Sequence, residues 1–269
     1  MSLGFCPIAS SSRGNSYCIR SENTLILLDA GLTGVKLRNA VKEMDFEPEA
    51  FSGILITHEH VDHVRGVKGF IKGCSETLVY GTKGTFEAVN DKGGKLPEEK
   101  LCIIEKNQVF AIGDIEVTAF EISHDASEPV AFSFKKDDKK ITIVTDTGTV
   151  TERIDQAISD SDILVIESNH EVNILLYGSY PYQVKRRILS DMGHLSNEAA
   201  GMCIARYLKT FSKPKVPQVF LAHLSRENNT PQQAYLTVKN ILEEEDFYIG
   251  KHLNLSVLEE NKVGDLIVL

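Results

Sequence analysis

The alternation of apolar and polar positions divides the chain into short strands and intervening helices. In the first part, apolar runs that end at turn residues predict strands at "FCPIA", "SYCIR", "TLILLDAG", "GILIT" and "TLVYG". Helical patterns lie between the later strands, at about residues 32–44, 64–72 and 82–89. This part of the chain is therefore expected to begin with strands and to continue as alternating helices and strands.

The remainder of the chain repeats this arrangement. The segments "KLCIIEKN", "IEVTAFEIS" and "VAFSFKKDDKKITIVTD" carry turn signals and predict an antiparallel meander or a set of hairpins. Helices at about residues 151–159, 197–209 and 231–244 alternate with strands at "DILVIES", "QVFLAHLS", "LNLSVLEE" and "DLIVL", and residues 171–195 are expected to hold an irregular tyrosine-rich loop. With no linker or short repeat, the pattern predicts an α+β fold, two sheets packed face to face with helices outside, in one domain over residues 1–269.

Composition narrows the class of protein. The 269 residues are 42% hydrophobic, enough for a core, and no apolar run reaches the roughly 20 residues of a membrane span. The N-terminus does not resemble a leader peptide, so we expect a cytoplasmic protein. The five cysteines form no CxxC pair, which argues against disulfides or a thiolate zinc site and favours small buried side chains. A net charge of −9 excludes general attraction to nucleic acid but allows a local basic patch.

The segment "ILITHEHVDHVRG" holds the densest group of candidate functional residues. It places His58, His60, Asp62 and His63 in the turn after a buried strand. Neutral imidazole and carboxylate are the usual ligands of borderline divalent ions such as zinc or manganese. Surface histidines at a strand end are the alternative, but four ligand-type side chains in six positions favour a metal site.

Three further ligand-type residues also follow apolar strands. His124 comes after "VTAFEIS", Asp146 after "ITIVT", and His223 after "VFLA". Each residue alone would fit a loop side chain with local hydrogen bonds. Because loops at one end of a sheet collect functional groups from distant positions, the repeated placement favours one shared site.

These motifs, in the order "THEHVDH", "SHD", "TDTG" and "AHLS", resemble the metallo-β-lactamase fold over almost the whole chain. The resemblance implies an αββα sandwich with a dinuclear metal site at one edge. More narrowly, "SSSRGNSY", "ESNH", "GSYPYQVKRRI", "GHLSNEAA" and "HLSRENNTP" resemble the YycJ/WalJ-like branch of DNA 5′-to-3′ exonucleases. The ribonuclease Z and cyclic-phosphodiesterase branches are similar to a lesser degree.

The resemblance implies a set of metal ligands: His58, His60 and His124 for one ion, Asp62, His63 and His223 for the other, and Asp146 as the bridge. Asp62 is also counted as catalytic. Two nearby divalent ions lower the pKa of a bridging water and hold a phosphoryl oxygen, so the expected nucleophile is a metal-bound hydroxide. The sequence has no GxSxG motif. Because imidazole and carboxylate accept zinc, manganese, iron or cobalt, the identity of the two ions stays open.

Two residues outside the ligand set are also expected to be catalytic, one as the general acid and one as its support. A leaving alkoxide needs a proton, and His194 in "GHLSN" matches the general-acid histidine proposed for the phosphodiesterase branches. Its alternative is a residue before a helix capped by Ser196 or Asn197. Glu167 matches the glutamate that supports this histidine in the ribonuclease Z branch and is expected to raise its pKa. His170 either contacts substrate or is a loop histidine.

Phosphate recognition requires cations or oriented amides. Ser11 and Asn15 lie in a Ser/Gly-rich turn whose backbone N–H groups suit an anion, although Arg13 departs from the family pattern. Lys185 and Arg186 stand beside tyrosines, a mixture suited to a nucleic-acid backbone and to base stacking, or merely to a solvated face. Asn228, with Asn229, is expected near His223.

The sequence thus predicts a metal-dependent phosphodiesterase with DNA as its substrate and two divalent ions as cofactors, and it leaves the oligomeric state open. One rival is a hydrolase of a small phosphodiester, ester or thioester, for which residues 171–195 would form a closed cup rather than an open groove. The other is a metal-binding regulator without turnover, which the complete ligand set argues against.

Overall fold

The computed structural model describes residues 2–91, 94–260 and 262–269. These residues form two structural units. The first contains the residues up to Ala119 together with Ala126–Lys139 and Glu260–Leu269, and the second contains Phe120–Asp125 and Lys140–Glu259. The single domain expected over residues 1–269 stays a prediction.

The first unit is organised around a mixed sheet of seven strands. Its strands are β1 (Gly4–Ala9), β2 (Ser16–Arg20), β3 (Leu25–Leu28), β4 (Gly53–Leu55), β5 (Leu78–Thr82), β6 (Leu101–Ile104) and, near the end of the chain, β14 (Ile267–Val268). The order is β14-β1-β2-β3-β4-β5-β6. The pairs from β14 to β3 are antiparallel and those from β3 to β6 are parallel. The expectation that β6 belongs to an antiparallel meander is wrong, because it pairs in parallel with β5.

Four helices belong to the first unit: α1 (Gly34–Glu43), α2 (Val61–Val64), α3 (Val67–Phe70) and α4 (Lys83–Asp91). The single helix predicted at residues 64–72 is instead the pair α2 and α3, which are separated at Gly66. A Cβ on Gly66 would lie 2.2 Å from the carbonyl oxygen of Leu32, so only glycine allows this close approach. The break leaves α2 as one turn that carries part of the histidine motif.

The second sheet also has seven strands: β7 (Val109–Ile112), β8 (Ile115–Glu121), β9 (Val130–Lys136), β10 (Lys139–Val144), β11 (Ile163–Glu167), β12 (Gln218–Ala222) and β13 (Asn254–Val257). Its order is β13-β12-β11-β10-β9-β8-β7. Strands β10 to β13 run in parallel, and β7 and β8 form an antiparallel hairpin. Strand β7 was not predicted, since its residues are largely exposed and its apolar run is short.

The helices of the second unit are α5 (Glu152–Ile158), α6 (Val172–Tyr177), α7 (Tyr182–Ile188), α8 (Asn197–Thr210) and α9 (Pro231–Glu244). Helices α5, α8 and α9 confirm the sequence prediction. The irregular loop expected at residues 171–195 is wrong, because α6 and α7 occupy much of it. The Lys185 ammonium donates to the carbonyl oxygens of Leu176 and Gly178, at 2.8 and 2.7 Å, and so ties α7 to the end of α6.

Buried apolar side chains form the core of each unit. In the first unit, Phe51 and Phe70 meet edge to face with ring centroids 5.4 Å apart. The cysteines form no disulfide, and all but Cys102 are buried, as the sequence predicts. No helix in the described ranges combines the length and the hydrophobicity needed for a membrane span. Two mixed sheets with accompanying helices agree with the predicted α+β class.

Candidate metal and acid–base site

The first unit brings the histidine motif together at the end of β4. Thr57 and His58 follow the strand, His60 precedes α2, and His63 lies within α2. The His58 ring lies 4.6 Å from the His60 ring and 4.2 Å from the His63 ring, measured between centroids. The turn therefore collects these side chains as the sequence predicts, and Asp62 lies beside them with its Oδ2 3.4 Å from His63 Nε2.

Asp29 is a candidate functional residue that the sequence pattern did not identify. It follows β3, is fully buried and has a φ of 58°. Its Oδ2 accepts from His63 Nδ1 at 2.7 Å, and its Oδ1 accepts from the Thr57 backbone N–H at 2.9 Å. Burial raises the pKa of Asp29, and the bonds from His63 and Thr57 oppose that rise. An acid directly after an apolar strand was the available signal, the same one that identifies Asp146.

The second unit brings together the ligand-type residues that follow its strands. Asp146 follows β10 and His223 follows β12, and these parallel strands end at the same edge of the sheet. His223 Nε2 lies 3.5 Å, and His124 Nε2 3.8 Å, from Asp146 Oδ1. Asp146 and His223 have φ values of 58° and 56°, a left-handed conformation that is uncommon outside glycine and that clusters at functional sites.

Glu167, the last residue of β11, organises this group. Its Oε1 accepts from His194 Nδ1 at 2.8 Å and from His223 Nδ1 at 2.7 Å. Its Oε2 accepts from the backbone N–H groups of Thr147 and Leu195, at 2.9 and 3.2 Å. Burial alone would raise the pKa of Glu167, but the charge and hydrogen bonds of the two histidines lower it to about 2. The expected contact with His194 is present, and the contact with His223 was not foreseen.

His194 lies before α8, and Ser196 caps that helix by accepting from the Ala199 N–H at 3.1 Å. Ser196 therefore caps the helix, as the alternative interpretation of this segment expected, and the His194 ring instead contacts Glu167. Its centroid lies 5.2 Å from that of His124. Burial lowers the pKa of His194, but the Glu167 carboxylate outweighs this effect, so the pKa is raised above its ordinary value. A raised pKa increases the protonated fraction of the ring, the form that a general acid requires.

Gly148, the glycine of "TDTG", packs against the loop of residues 190–194, the acid-bearing loop, which carries His194. A Cβ on Gly148 would lie 2.4 Å from backbone atoms of Asp191. Any larger residue would therefore displace residues 190–193, whose turn includes a bond from the Gly193 N–H to the Ser190 carbonyl oxygen at 2.8 Å. The motif thus supplies a ligand-type residue and, two positions later, the space for the acid-bearing loop.

The residues predicted to bind substrate lie in different surroundings. In the first unit, Asn15 is fully buried with its Nδ2 3.1 Å from His63 Nε2, and Ser11 is buried in the same turn. In the second unit, Arg186 is exposed, Lys185 is tied to α6, and Asn228 is buried with its N–H donating to Ser225 Oγ. Their roles toward substrate stay predictions.

His170 lies next to the acid-bearing loop. It forms an isolated parallel bridge with Ser196 and is only 1% exposed. Neither of its ring nitrogens has a hydrogen-bond partner among the described residues. Burial lowers the pKa of His170 to about 4, despite the opposing charge of Glu167, so the ring is neutral at physiological pH.

The histidine environments fit divalent metal ions. Nδ1 of His63 and Nδ1 of His223 each face a carboxylate, and Nδ1 of His124 faces the Gly193 carbonyl oxygen at 3.2 Å. An acceptor at Nδ1 holds the proton there and leaves the lone pair on Nε2, the arrangement found around metal-binding histidines. Asp146, Glu167, His194 and His223 offer ligand atoms within 4.8 Å of one another. Since both Glu167 oxygens already accept two hydrogen bonds, Glu167 orients the histidines rather than binding an ion.

Comparison with known proteins agrees with this geometry. A family described as the beta-lactamase superfamily domain matches residues 24–223. The chain is 38% identical to exodeoxyribonuclease YycJ of Bacillus anthracis over 251 residues, which cover 93% of each chain. It is also 38% identical to exodeoxyribonuclease WalJ of Streptococcus pneumoniae, over 90% of this chain and 89% of that protein.

A similar solved structure is the metallo-beta-lactamase fold protein YhfI from Bacillus subtilis. It superposes with a TM-score of 0.74 over 99% of both chains, at 14% sequence identity. At this identity the likeness concerns the fold alone. Together with the family match, it confirms the predicted metallo-β-lactamase fold class.

Proposed function

The chain belongs to the β-lactamase superfamily, and on this premise we propose that it is a metal-dependent phosphodiesterase that removes nucleotides from the 5′ end of DNA. The observation that carries the proposal is the pairing of His194 with the buried Glu167 carboxylate beside Asp146. A protonated imidazole at this position suits the departure of an alkoxide from phosphorus. The similarity to two exodeoxyribonucleases over nearly the whole chain supports DNA as the substrate.

The proposed cofactors are two divalent ions, zinc or manganese, with iron as a further option. The proposed ligands are His58, His60 and His124 for one ion, Asp62, His63 and His223 for the other, and Asp146 as a shared ligand. When bound, such ions activate a water molecule and neutralise charge on the phosphate. The Nδ1 contacts of His63 and His223 support this assignment, since they direct Nε2 toward a ligand role.

In the proposed reaction, His194 donates its proton to the oxygen that leaves phosphorus. Glu167 keeps that proton available, because its carboxylate stabilises the charged ring through the Nδ1 bond at 2.8 Å. The same carboxylate holds His223 in a fixed orientation. One buried acid therefore links the proton donor to a proposed metal ligand, and its replacement should affect both functions.

The substrate contacts proposed for DNA are the turn of Ser11 and Asn15 together with Lys185, Arg186 and Asn228. Backbone amides and cations suit phosphate groups, and Arg186 is the exposed cation among these residues. The cytoplasm is the proposed location of this activity.

The proposal is tested with protein stripped of metal by a chelator and reloaded with manganese or zinc. We expect the reloaded protein to release acid-soluble nucleotides from linear DNA, and the stripped protein to release almost none. A cyclic nucleotide, a simple ester and a thioester serve as parallel substrates. Turnover of one of these by a protein that holds two ions but leaves DNA intact would refute the exonuclease and favour the small-substrate hydrolase.

A further inference from the structure

An exposed apolar surface lies on α6, α7 and the turn that follows them. Six large side chains within residues 174–192 are exposed: Ile174, Leu176, Tyr177, Tyr182, Leu189 and Met192. Tyr177 is 88% and Tyr182 75% exposed. Leu176, Tyr182 and Leu189 of this set line one cleft, and exposed apolar groups gathered in this way are typical of a binding site. The two tyrosine rings are the parts of this surface that a planar ligand would meet first.

The cations of this surface have separate tasks. Lys185 donates to two carbonyl oxygens at the end of α6, and Arg187 pairs with Asp125 through Nε and Nη2. Arg186 is exposed and has no carboxylate partner in the described part of the chain. It therefore remains the cation of the three that is available to a ligand, although the sequence presents all three alike.

Arg186 and Tyr182 border one cleft. Its volume is about 530 Å³, and it is lined by Leu176, Tyr182, Lys185, Arg186, Leu189 and Ser190. A volume of this size accommodates a small ligand such as one nucleotide. The cleft thus presents an aromatic ring, an aliphatic floor and a guanidinium group to the same occupant.

The cleft lies on the chain segment that leads to the proposed general acid. The backbone N–H of His194 donates to the carbonyl oxygen of Ile188 at 3.0 Å, and the backbone N–H of Gly193 donates to the carbonyl oxygen of Ser190 at 2.8 Å. Ser190 and His194 are four positions apart in the chain, so their Cα atoms lie at most about 14 Å apart. An occupant of the cleft is therefore a close neighbour of the group that we propose protonates the leaving oxygen.

We propose that this cleft binds an unpaired nucleotide of a DNA strand, with its base stacked on Tyr182 and a phosphate held by Arg186. The exposed Tyr177, next in sequence to the lining residue Leu176, offers a second ring to a neighbouring base. The inference rests on the proposed function and adds that the terminal nucleotide must be unpaired to enter the cleft, whether it belongs to a single strand or to the frayed end of a duplex. Stacked bases in a duplex do not expose their faces to a protein ring, whereas unpaired bases do. A guanidinium and an exposed tyrosine in one cleft offer a phosphate contact and a stacking surface together, which favours a polyanion with aromatic bases over a protein partner or a second copy.

The test compares the double variant Tyr177→Ala/Tyr182→Ala and the variant Arg186→Ala with wild type. The matched controls are Tyr248→Ala, an exposed tyrosine bonded to Asp246, and Arg206→Ala, an arginine paired with Asp155. We expect KM for a single-stranded oligonucleotide to rise about tenfold in the double variant, the loss typical of a removed stacking contact. In the tyrosine double variant, turnover of a small p-nitrophenyl phosphodiester should stay within about twofold of wild type. In both control variants, KM for the oligonucleotide should also stay within about twofold of wild type.

The same variants separate this inference from the proposed function. If wild type degrades DNA and the cleft variants degrade single-stranded DNA equally well, the inference is overturned and the exonuclease stands. If wild type does not degrade DNA, fluorescence anisotropy of a labelled single-stranded oligonucleotide with metal-free protein still decides the point. If wild type binds the oligonucleotide and the cleft variants do not, the proposed nucleotide site is supported. If the variants bind as well as wild type, or if wild type does not bind, the proposed site is overturned. A change of oligomeric state with unchanged DNA affinity, seen by light scattering, would assign the surface to a second copy instead.

Discussion

Replacement of His194 by alanine should act most strongly on substrates with a poor leaving group. In DNA the departing oxygen is an alkoxide, which needs the proton that His194 holds through its contact with Glu167. General acids typically contribute about 10²- to 10⁴-fold, which corresponds to about 3–5 kcal/mol of the barrier. We therefore expect kcat for DNA to fall by that factor. A p-nitrophenyl ester of thymidine phosphate loses a stable anion without protonation, so its kcat should fall less than about tenfold.

The assay measures kcat for both substrates in one metal-loaded preparation, with metal content determined by mass spectrometry. His194→Ala should hold as much metal as wild type, because His194 is not a proposed ligand. The control is His252→Ala, since His252 accepts from the Tyr248 N–H at 2.9 Å and lies outside the acid-bearing loop. Equal losses for the two substrates would refute the proton-donor role and leave His194 as a positioning residue.

Three further predictions concern groups around the site. Asp29→Asn should weaken metal binding about 10- to 100-fold in a chelator competition, while Asp137→Asn, at an exposed turn with a similar φ of 52°, should not. In Glu167→Gln the pKa of His194 should fall, because the carboxylate that raises it is lost. Since the protonated ring is the active form, the decline of kcat/KM for DNA at alkaline pH should then begin at lower pH. An unchanged pH profile would contradict the pairing of the two residues. Gly148→Ala should cost about 1–3 kcal/mol in urea unfolding, and a variant of unchanged stability would show that the acid-bearing loop is not fixed there.

The parts of the site that follow parallel strands were predictable from the sequence. Asp146 and His223 directly follow apolar runs, and parallel strands of one sheet end at one edge, so the pattern places them together. The dense histidine motif was identifiable for a similar reason, because a short turn keeps His58, His60 and His63 close whatever surrounds them.

Other features depend on contacts between distant positions and were not predictable. Asp29 stands in a "DAG" sequence that suggested only a turn, although its bond to His63 spans 34 positions. Glu167 contacts His223 across 56 positions, and no local pattern encodes that pair. The sequence likewise does not distinguish Arg186 from Arg187, because Arg187 pairs with Asp125, which lies 62 positions away in the chain.

The short helices were missed for a local reason. Helices α6 and α7 have six and seven residues, too few to display the helical period clearly. Their stability depends on tertiary contacts such as the Lys185 bonds to the end of α6. The surface they form therefore became visible only in the structure.

The measurement that tests the central claim most directly is the time course of label release from linear DNA carrying a label at either the 5′ or the 3′ end, with metal-loaded protein. We predict early release of the 5′ label as short products, with the 3′ label retained in long strands until late times, and no release after metal removal. Early release of the 3′ label would contradict the proposed polarity. No release of either label by protein that holds its metal ions would contradict the assignment as a DNA exonuclease.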